Sequence, residues 1–213
     1  MDKMVDNLLD VETQYTAAVE KIFTAMNDIG KKHTYKKNEI FFDFKCDEQN
    51  ILLIESGTFA FYRQPDRLLI QETSAPAIFG LVMVPHKPDI IISAHSKLSV
   101  RSVPRESALR IIEQEGMWYE VAIVLGRIIK VYVERDINLI ARDAYHIVKH
   151  HLNLLKLLPV EERYSTTAVK FITSRSMLSR SRVMDILKKL NDGEYIIIKN
   201  GILNKINFLP DKF

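Results

Sequence analysis

Tyr164–Asn207 reads YSTTAVKFITSRSMLSRSRVMDILKKLNDGEYIIIKNGILNKIN, and this stretch decides the fold of the C-terminal part of the chain. Ser165 or Thr166 can cap a short helix whose apolar side is Ala168, Val169, Phe171 and Ile172, and the polar run Thr173 to Ser176 interrupts it. Ser179 can cap a second helix that runs to about Asn191. In that helix Val183, Ile186, Leu187 and Leu190 fall on one face, and Ser181, Asp185 and Lys188 on the opposite one. Asp192-Gly193 then turns into Tyr195–Ile198, Asn200-Gly201 marks a tight hairpin, and Ile202 to Phe208 supplies the return strand. Helix, turn, helix and hairpin in that order predict a winged helix-turn-helix.

Charge supports a polyanionic partner for the same segment. Residues 142–213 carry 13 lysines and arginines against 7 acids, whereas residues 1–141 carry 17 against 20. Seven basic side chains, including Arg163, Lys170, Arg175 and Lys188, stand against two acids between residues 163 and 192. Backbone phosphates of double-stranded DNA are the expected counterpart, because neutralising them releases counterions. The first turns of the second helix are the expected base readers. Arg180 or Arg182 can bind a guanine edge in bidentate fashion, Asp185 can accept from a cytosine amino group, and Ser179, Ser181 and Lys188 share that end or face. Ser174, Arg175 and Ser176 in the turn, with Lys170 before it, are expected at phosphates.

Working toward the N-terminus, the pattern changes twice. From about Val5 to Ile29 apolar side chains recur at helical spacing and end at Gly30. From Thr34 to Val103 short β-branched and aromatic runs follow (EIFFDF, NILLIES, TFAFYR, RLLIQE, AIFGLVMV, DIIISAH, KLSVRSV), separated by breaks such as Ser56-Gly57, and predict the seven or eight strands of a β-roll or barrel. A helical region from Pro104 to about Ile140, broken near Glu115-Gly116, carries Trp118, Val121, Leu125, Ile128 and Tyr132 at alternating spacings of 3 and 4. That rhythm marks a seam between two helices, and a homodimer is expected along it; the other reading has the stripe packing on its own β-roll. The predicted fold is α+β: residues 1–115 a helix and β-roll, 116–141 a dimerisation helix, and 142–213 the winged helix-turn-helix.

Several function classes are excluded or disfavoured. A run of roughly 18 apolar residues, enough to span a membrane, is absent, and the start MDKMVDNLLDVETQ is polar and acidic, so the expected location is the cytoplasm, away from membranes. The single Cys46 permits neither an internal disulfide nor a four-cysteine iron–sulfur site; flanked by Lys45 and Asp47, it is a candidate redox-sensing thiol. His146, His150 and His151 lie at i, i+4 and i+5 on a helix without a completing ligand set, so a structural role is expected and no metal. No Walker loop or Gly-x-Ser-x-Gly elbow appears, which argues against an enzyme.

The order N-terminal helix, β-roll, long helix and winged helix resembles the Crp/Fnr superfamily of bacterial transcription regulators over nearly the whole chain. Leu53-Ile54-Glu55-Ser56-Gly57 and Ile78-Phe79-Gly80 carry the likeness in the β-roll; Ser179-Arg180 followed by Val183, Ile186-Leu187 and Leu190 carries it in the recognition helix. Arg175-Ser176, Leu178-Ser179-Arg180-Ser181 and Asp192-Gly193-Glu194-Tyr195-Ile196 are similar to the enterobacterial IprA (YaiV-type) regulators. The resemblance implies a sequence-specific, homodimeric regulator of transcription, with RNA polymerase as a further partner and a link to stress response. It also exposes departures. The cyclic-nucleotide cassette of the superfamily has Gly-Glu and a downstream arginine, but here Leu81 follows Gly80 and Pro85–Ala94 has no arginine, only Lys87 between prolines. A buried phosphate without a cation is disfavoured, so no cAMP response and no cofactor are expected. Ser181 and Asp185 replace the familiar Glu and second Arg of the recognition helix, which implies a different, palindromic operator. The rival reading is a sensor or interaction module of the same fold that acts through a protein partner or an unidentified small ligand.

Overall fold

The computed structural model describes residues 2–43, 49–81 and 89–213. Cys46, and Lys87 with its flanking prolines, lie outside the described residues. The chain divides into two compact units, Met1–Tyr132 and Val133–Phe213.

In the first unit a helix, α1 (Asp2–Ala25), precedes eight strands: β1 (Lys31–Tyr35), β2 (Ile40–Asp43), β3 (Asn50–Ser56), β4 (Thr58–Arg63), β5 (Leu69–Ser74), β6 (Ala77–Phe79), β7 (Ile90–Ala94) and β8 (Leu98–Pro104). Helices α2 (Arg105–Gln114) and α3 (Trp118–Leu139) follow. The strands form two antiparallel four-stranded sheets, ordered β1-β8-β3-β6 and β2-β7-β4-β5. Strand β3 shows why its sequence is apolar without alternation. Leu52 and Ile54 join Phe41, Phe59, Ile92 and Leu98 in one core, while Ile51 and Leu53 join Val19 and Ile22 of α1, Ile112 of α2 and Val124 of α3 in another. Both faces of the strand are buried, as its run of four aliphatics requires. The β3–β4 turn depends on Gly57: its φ is +103°, and a Cβ there would lie 2.4 Å from the Lys97 carbonyl oxygen.

Arg101 is buried in β8 and tied at both ends. Its Nε and Nη2 donate to Glu55 Oε1 at 2.9 and 2.6 Å, and Nη1 donates to the Asn27 carbonyl, so the end of the α1 turn is bonded to the sheet. Burial pushes the Glu55 carboxyl up, but the hydrogen bonds from Arg101 and Ser99 outweigh it and hold Glu55 below its ordinary value.

The second unit contains α4 (Ala144–Leu157), α5 (Val160–Tyr164), α6 (Ala168–Thr173), α7 (Arg180–Asp192), β9 (Ile196–Lys199) and β10 (Ile202–Ile206). Its core gathers Val148, Leu152 and Leu155 of α4, Phe171 and Ile172 of α6, Val183, Ile186, Leu187 and Leu190 of α7, and Ile196 and Leu203 of the hairpin.

Three boundaries differ from the sequence expectation. α1 ends at Ala25, four residues before Ile29, and a turn fills the gap to Gly30. Strand β1, of sequence KKHTY, was not expected: its side chains are mostly exposed, so no apolar alternation marks it, and pairing with β8 makes it a strand. The cap of α6 is Thr167, not Ser165 or Thr166, with its hydroxyl accepting from the Lys170 N–H.

Candidate nucleic-acid interface

The interface is built from α6, the turn after it, and α7. Ser179 caps α7, its hydroxyl accepting from the Arg182 N–H at 3.2 Å. The four aliphatics of α7 are buried against α4 and α6, which turns Arg180, Ser181, Arg182, Met184, Asp185 and Lys188 to the surface. Met184 stands at i+3 from Ser181 and i−4 from Lys188, so an exposed thioether sits among the exposed polar side chains. Sequence reasoning passed over it, although the helical spacing alone places it there.

Electrostatics give this face a purpose. The first turn of α7 holds two arginines and no acid, although cations are unfavourable at the positive end of a helix dipole. An anion placed there reverses the penalty, because the free backbone N–H groups and both guanidinium groups then point at negative charge. Asp185 offsets Arg182 in part and leaves Arg180 untouched. Its Oδ2 lies 3.1 Å from Lys189 Nζ and 3.7 Å from Arg182 Nη1, while Arg180 and Lys188 make no ion pair among the described residues.

The turn is more inward than expected. Ser176 is a correction: it is only 8% exposed, and its hydroxyl donates to the Ile172 carbonyl at 2.8 Å and accepts from the Leu178 N–H, so it shapes the turn instead of facing a phosphate. Ser174 is half-buried, with its hydroxyl donating to the Phe171 carbonyl at 3.1 Å. Arg175 lies flat on the Phe171 ring, 3.8 Å from the centroid, with Nη1 near Ser174 Oγ at 3.1 Å. Lys170 is exposed on α6. Behind the turn His151 is 2% exposed, and its Nδ1 lies 2.8 Å from the Ile147 carbonyl oxygen; burial pushes its pKa down to about 4. Burial lowers His150 as well, with His146 adding repulsion. No group of three metal-ligating side chains occurs among the described residues.

The wing is fastened to this assembly. Asn200 and Gly201 both have positive φ, +52° and +80°, as the tight Asn-Gly hairpin demands. The Ala168 N–H donates to the Gly201 carbonyl at 2.8 Å, which joins the wing turn to the start of α6. Lys199 and Asn200 at its tip are exposed.

On α3 the expected stripe divides. Val121 is a correction: at 5% exposure it belongs to the core of its own unit, against which Leu125 and Ile128 also pack, while Trp118 and Tyr132 are exposed. The apolar face left open is displaced by one position, to Tyr119, Ala122, Gly126 and Ile129 at spacings of 3, 4 and 3.

Residues 144–211 match the family described as winged helix-turn-helix DNA binding. The C-terminal unit is a winged helix-turn-helix. Beyond this winged-helix unit the likenesses span most of the chain. An Escherichia coli (strain K12) protein described as an inhibitor of hydrogen peroxide resistance is 26% identical over 181 residues, which cover 83% of this chain and 86% of that protein. The c-di-GMP responsive global regulator CLP of Xanthomonas campestris superposes with a TM-score of 0.68 at 11% identity, over 89% of this chain and 99% of its own. A chain from Eubacterium rectale assigned to the Crp/Fnr family gives 0.62 at 13% identity, over 90% and 91%. The chain thus has the fold of the Crp/Fnr regulators, with the winged helix-turn-helix at its C-terminal end, as the motifs of α7 and the β-roll implied. No described helix is long and apolar enough to cross a membrane.

Proposed function

We propose that the protein is a cytoplasmic, homodimeric, sequence-specific regulator of transcription that acts by binding and not by catalysis. The observation that carries the reading is the two-sided α7: aliphatics buried on one side, and on the other an exposed face whose first turn holds two arginines without an acid. Laid in a major groove, that turn brings Arg180 and Arg182 to base edges, with Ser179, Ser181, Met184, Asp185 and Lys188 alongside; Lys170, Arg175 and Ser174 are assigned to the backbone. Arg175 reaches a phosphate by leaving the Phe171 ring.

Dimerisation is assigned to the open face of α3. Gly126 sits mid-helix, where glycine costs about 0.5–1 kcal/mol relative to alanine, and a Cβ added there meets nothing within 4 Å. Nothing among the described residues requires the glycine, and it leaves room for the close approach of a second α3. Two recognition helices brought together this way meet half-sites about one helical turn apart. Residues 1–115, 116–141 and 142–213 then divide the labour among β-roll, dimer helix and DNA-binding domain. Leu81 stands where the superfamily's cassette has an acid, and it is buried in the core shared by α1, α2 and α3; this supports a regulator that does not respond to cAMP. The name of the Escherichia coli relative points to genes of peroxide resistance as targets, read out with RNA polymerase at the promoter.

Selection of duplexes from a random pool tests the proposal. Enrichment of a palindrome that differs from the usual Crp consensus is expected, and loss of one conserved half-site position in Arg180→Ala identifies the contact. Enrichment of the Crp consensus, or of nothing, contradicts it.

A further inference from the structure

A second group of cations lies elsewhere in the winged-helix unit, around a cavity of about 210 Å³ lined by Lys156, Arg163, Leu203, Asn204, Lys205 and Ile206. Lys156 stands in the last turn of α4, Arg163 in α5, and the other four on β10, where Asn204 is the residue at the bulge opposite β9. None of the three cations has a carboxylate partner among the described residues; the Arg163 guanidinium stands 5.5 Å from the centroid of the Tyr164 ring. Glu161 and Glu162 precede Arg163 but point to solvent and do not line the cavity. The Nε of Arg163 is buried and makes no hydrogen bond. Three cations around one small concavity, with no carboxylate beside them among the described residues, concentrate positive potential there, and an anion relieves it.

We propose that this cavity binds a small multivalent organic anion: a phosphate monoester or a di- or tricarboxylate of a few carbons. Charge sets the sign of the ligand and the walls set its body. Ile206, backed by the buried Leu203, offers an apolar wall for a carbon skeleton, while Lys156, Arg163 and Lys205 take its charged ends and Asn204 adds an amide. A volume of about 210 Å³ suits a compact metabolite of a few carbons. A duplex backbone presents a convex row of phosphates and has no skeleton to lay on that wall. The bound anion ties the end of α4, the short α5 and the wing strand together, so it stabilises the folded winged-helix unit by mass action.

Calorimetric titration of the whole protein with 3-phosphoglycerate in one arm and citrate in the other, paired with melting curves, tests the site. Saturable binding of one ligand per chain in at least one arm is expected, with a melting temperature that rises with ligand concentration. Arg163→Gln is expected to weaken that binding at least tenfold, and Lys205→Gln, a change on the exposed side of the hairpin, tests the site independently if the first variant folds poorly. Three results overturn the proposal: no saturable heat in either arm up to about 10 mM, a weakness at which no specific site need be invoked; affinity unchanged in both variants; or displacement of the anion by a short duplex whose own affinity falls equally in both variants, which makes the cavity part of the DNA backbone contact.

Discussion

At the scale of single residues, Arg180 and Arg182 work against the helix they begin. Two cations in the first turn of α7, with no acid in that turn, break a local rule, and such breaches belong at functional sites. Arg180→Ala is therefore expected to keep or slightly raise thermal stability while losing about 1–3 kcal/mol of discrimination at one base pair, measured by titrating matched and mismatched duplexes. His151 gives a second prediction, in pH. Its imidazole is neutral in the folded protein, with a pKa near 4, against 6.5 when unfolded. The unfolded chain thus binds the extra proton between these values, and the stability that burial of the neutral ring confers is present above pH 6.5 and lost as pH falls toward 4. Denaturant titrations of the winged-helix unit at pH 7 and pH 4.5 should differ by up to roughly 3 kcal/mol from this group. His151→Gln should remove most of that difference; an unchanged difference assigns it elsewhere. The exposed side of α7 was legible because helical spacing sorts sides. Ser176 was not, since a serine in a turn reads the same whether its hydroxyl faces solvent or, as here, the Ile172 carbonyl.

Among the elements, α7 rests on its cap and on its aliphatic side. Ser179→Ala removes the acceptor for the Arg182 N–H and should cost about 1 kcal/mol, whereas Leu190→Ala leaves a cavity in the small core and should cost about 2–5 kcal/mol. Chemical denaturation separates the two. Helix α3 makes a different prediction. Ile129, 62% exposed, and Gly126 face open space within one chain, so Ile129→Glu and Gly126→Leu should leave the helix intact yet shift the protein toward monomer in sedimentation. A dimer that persists in both variants removes α3 from the interface. The elements most clearly legible were those with two chemically distinct sides or with burial on both faces, such as α7 and β3. Strand β1 was illegible because KKHTY shows its lysines to solvent and owes its conformation to β8, a partner some 70 residues away. On α3 the repeat of 3 and 4 was legible but its phase was not: the helix carries apolar residues all round, and only the packing of Val121 and Val124 on the first unit shows which side remains open.

Across the whole molecule, charge is divided as function requires. The acidic excess lies in residues 1–141 and the basic excess in 142–213, so the proposed function has the winged-helix end meet the duplex. A dimer contributing several phosphate contacts per subunit should lose affinity steeply as salt rises, and each cation removed from the face should flatten that slope by about one. The most direct measurement is the affinity of the intact protein for its selected duplex across a salt series, wild type beside Arg180→Ala and Lys170→Ala. The account predicts a steep linear fall of log affinity with log salt, a shallower slope for Lys170→Ala at unchanged sequence preference, and lost preference for Arg180→Ala. An affinity insensitive to salt, or equal in all three proteins, contradicts it.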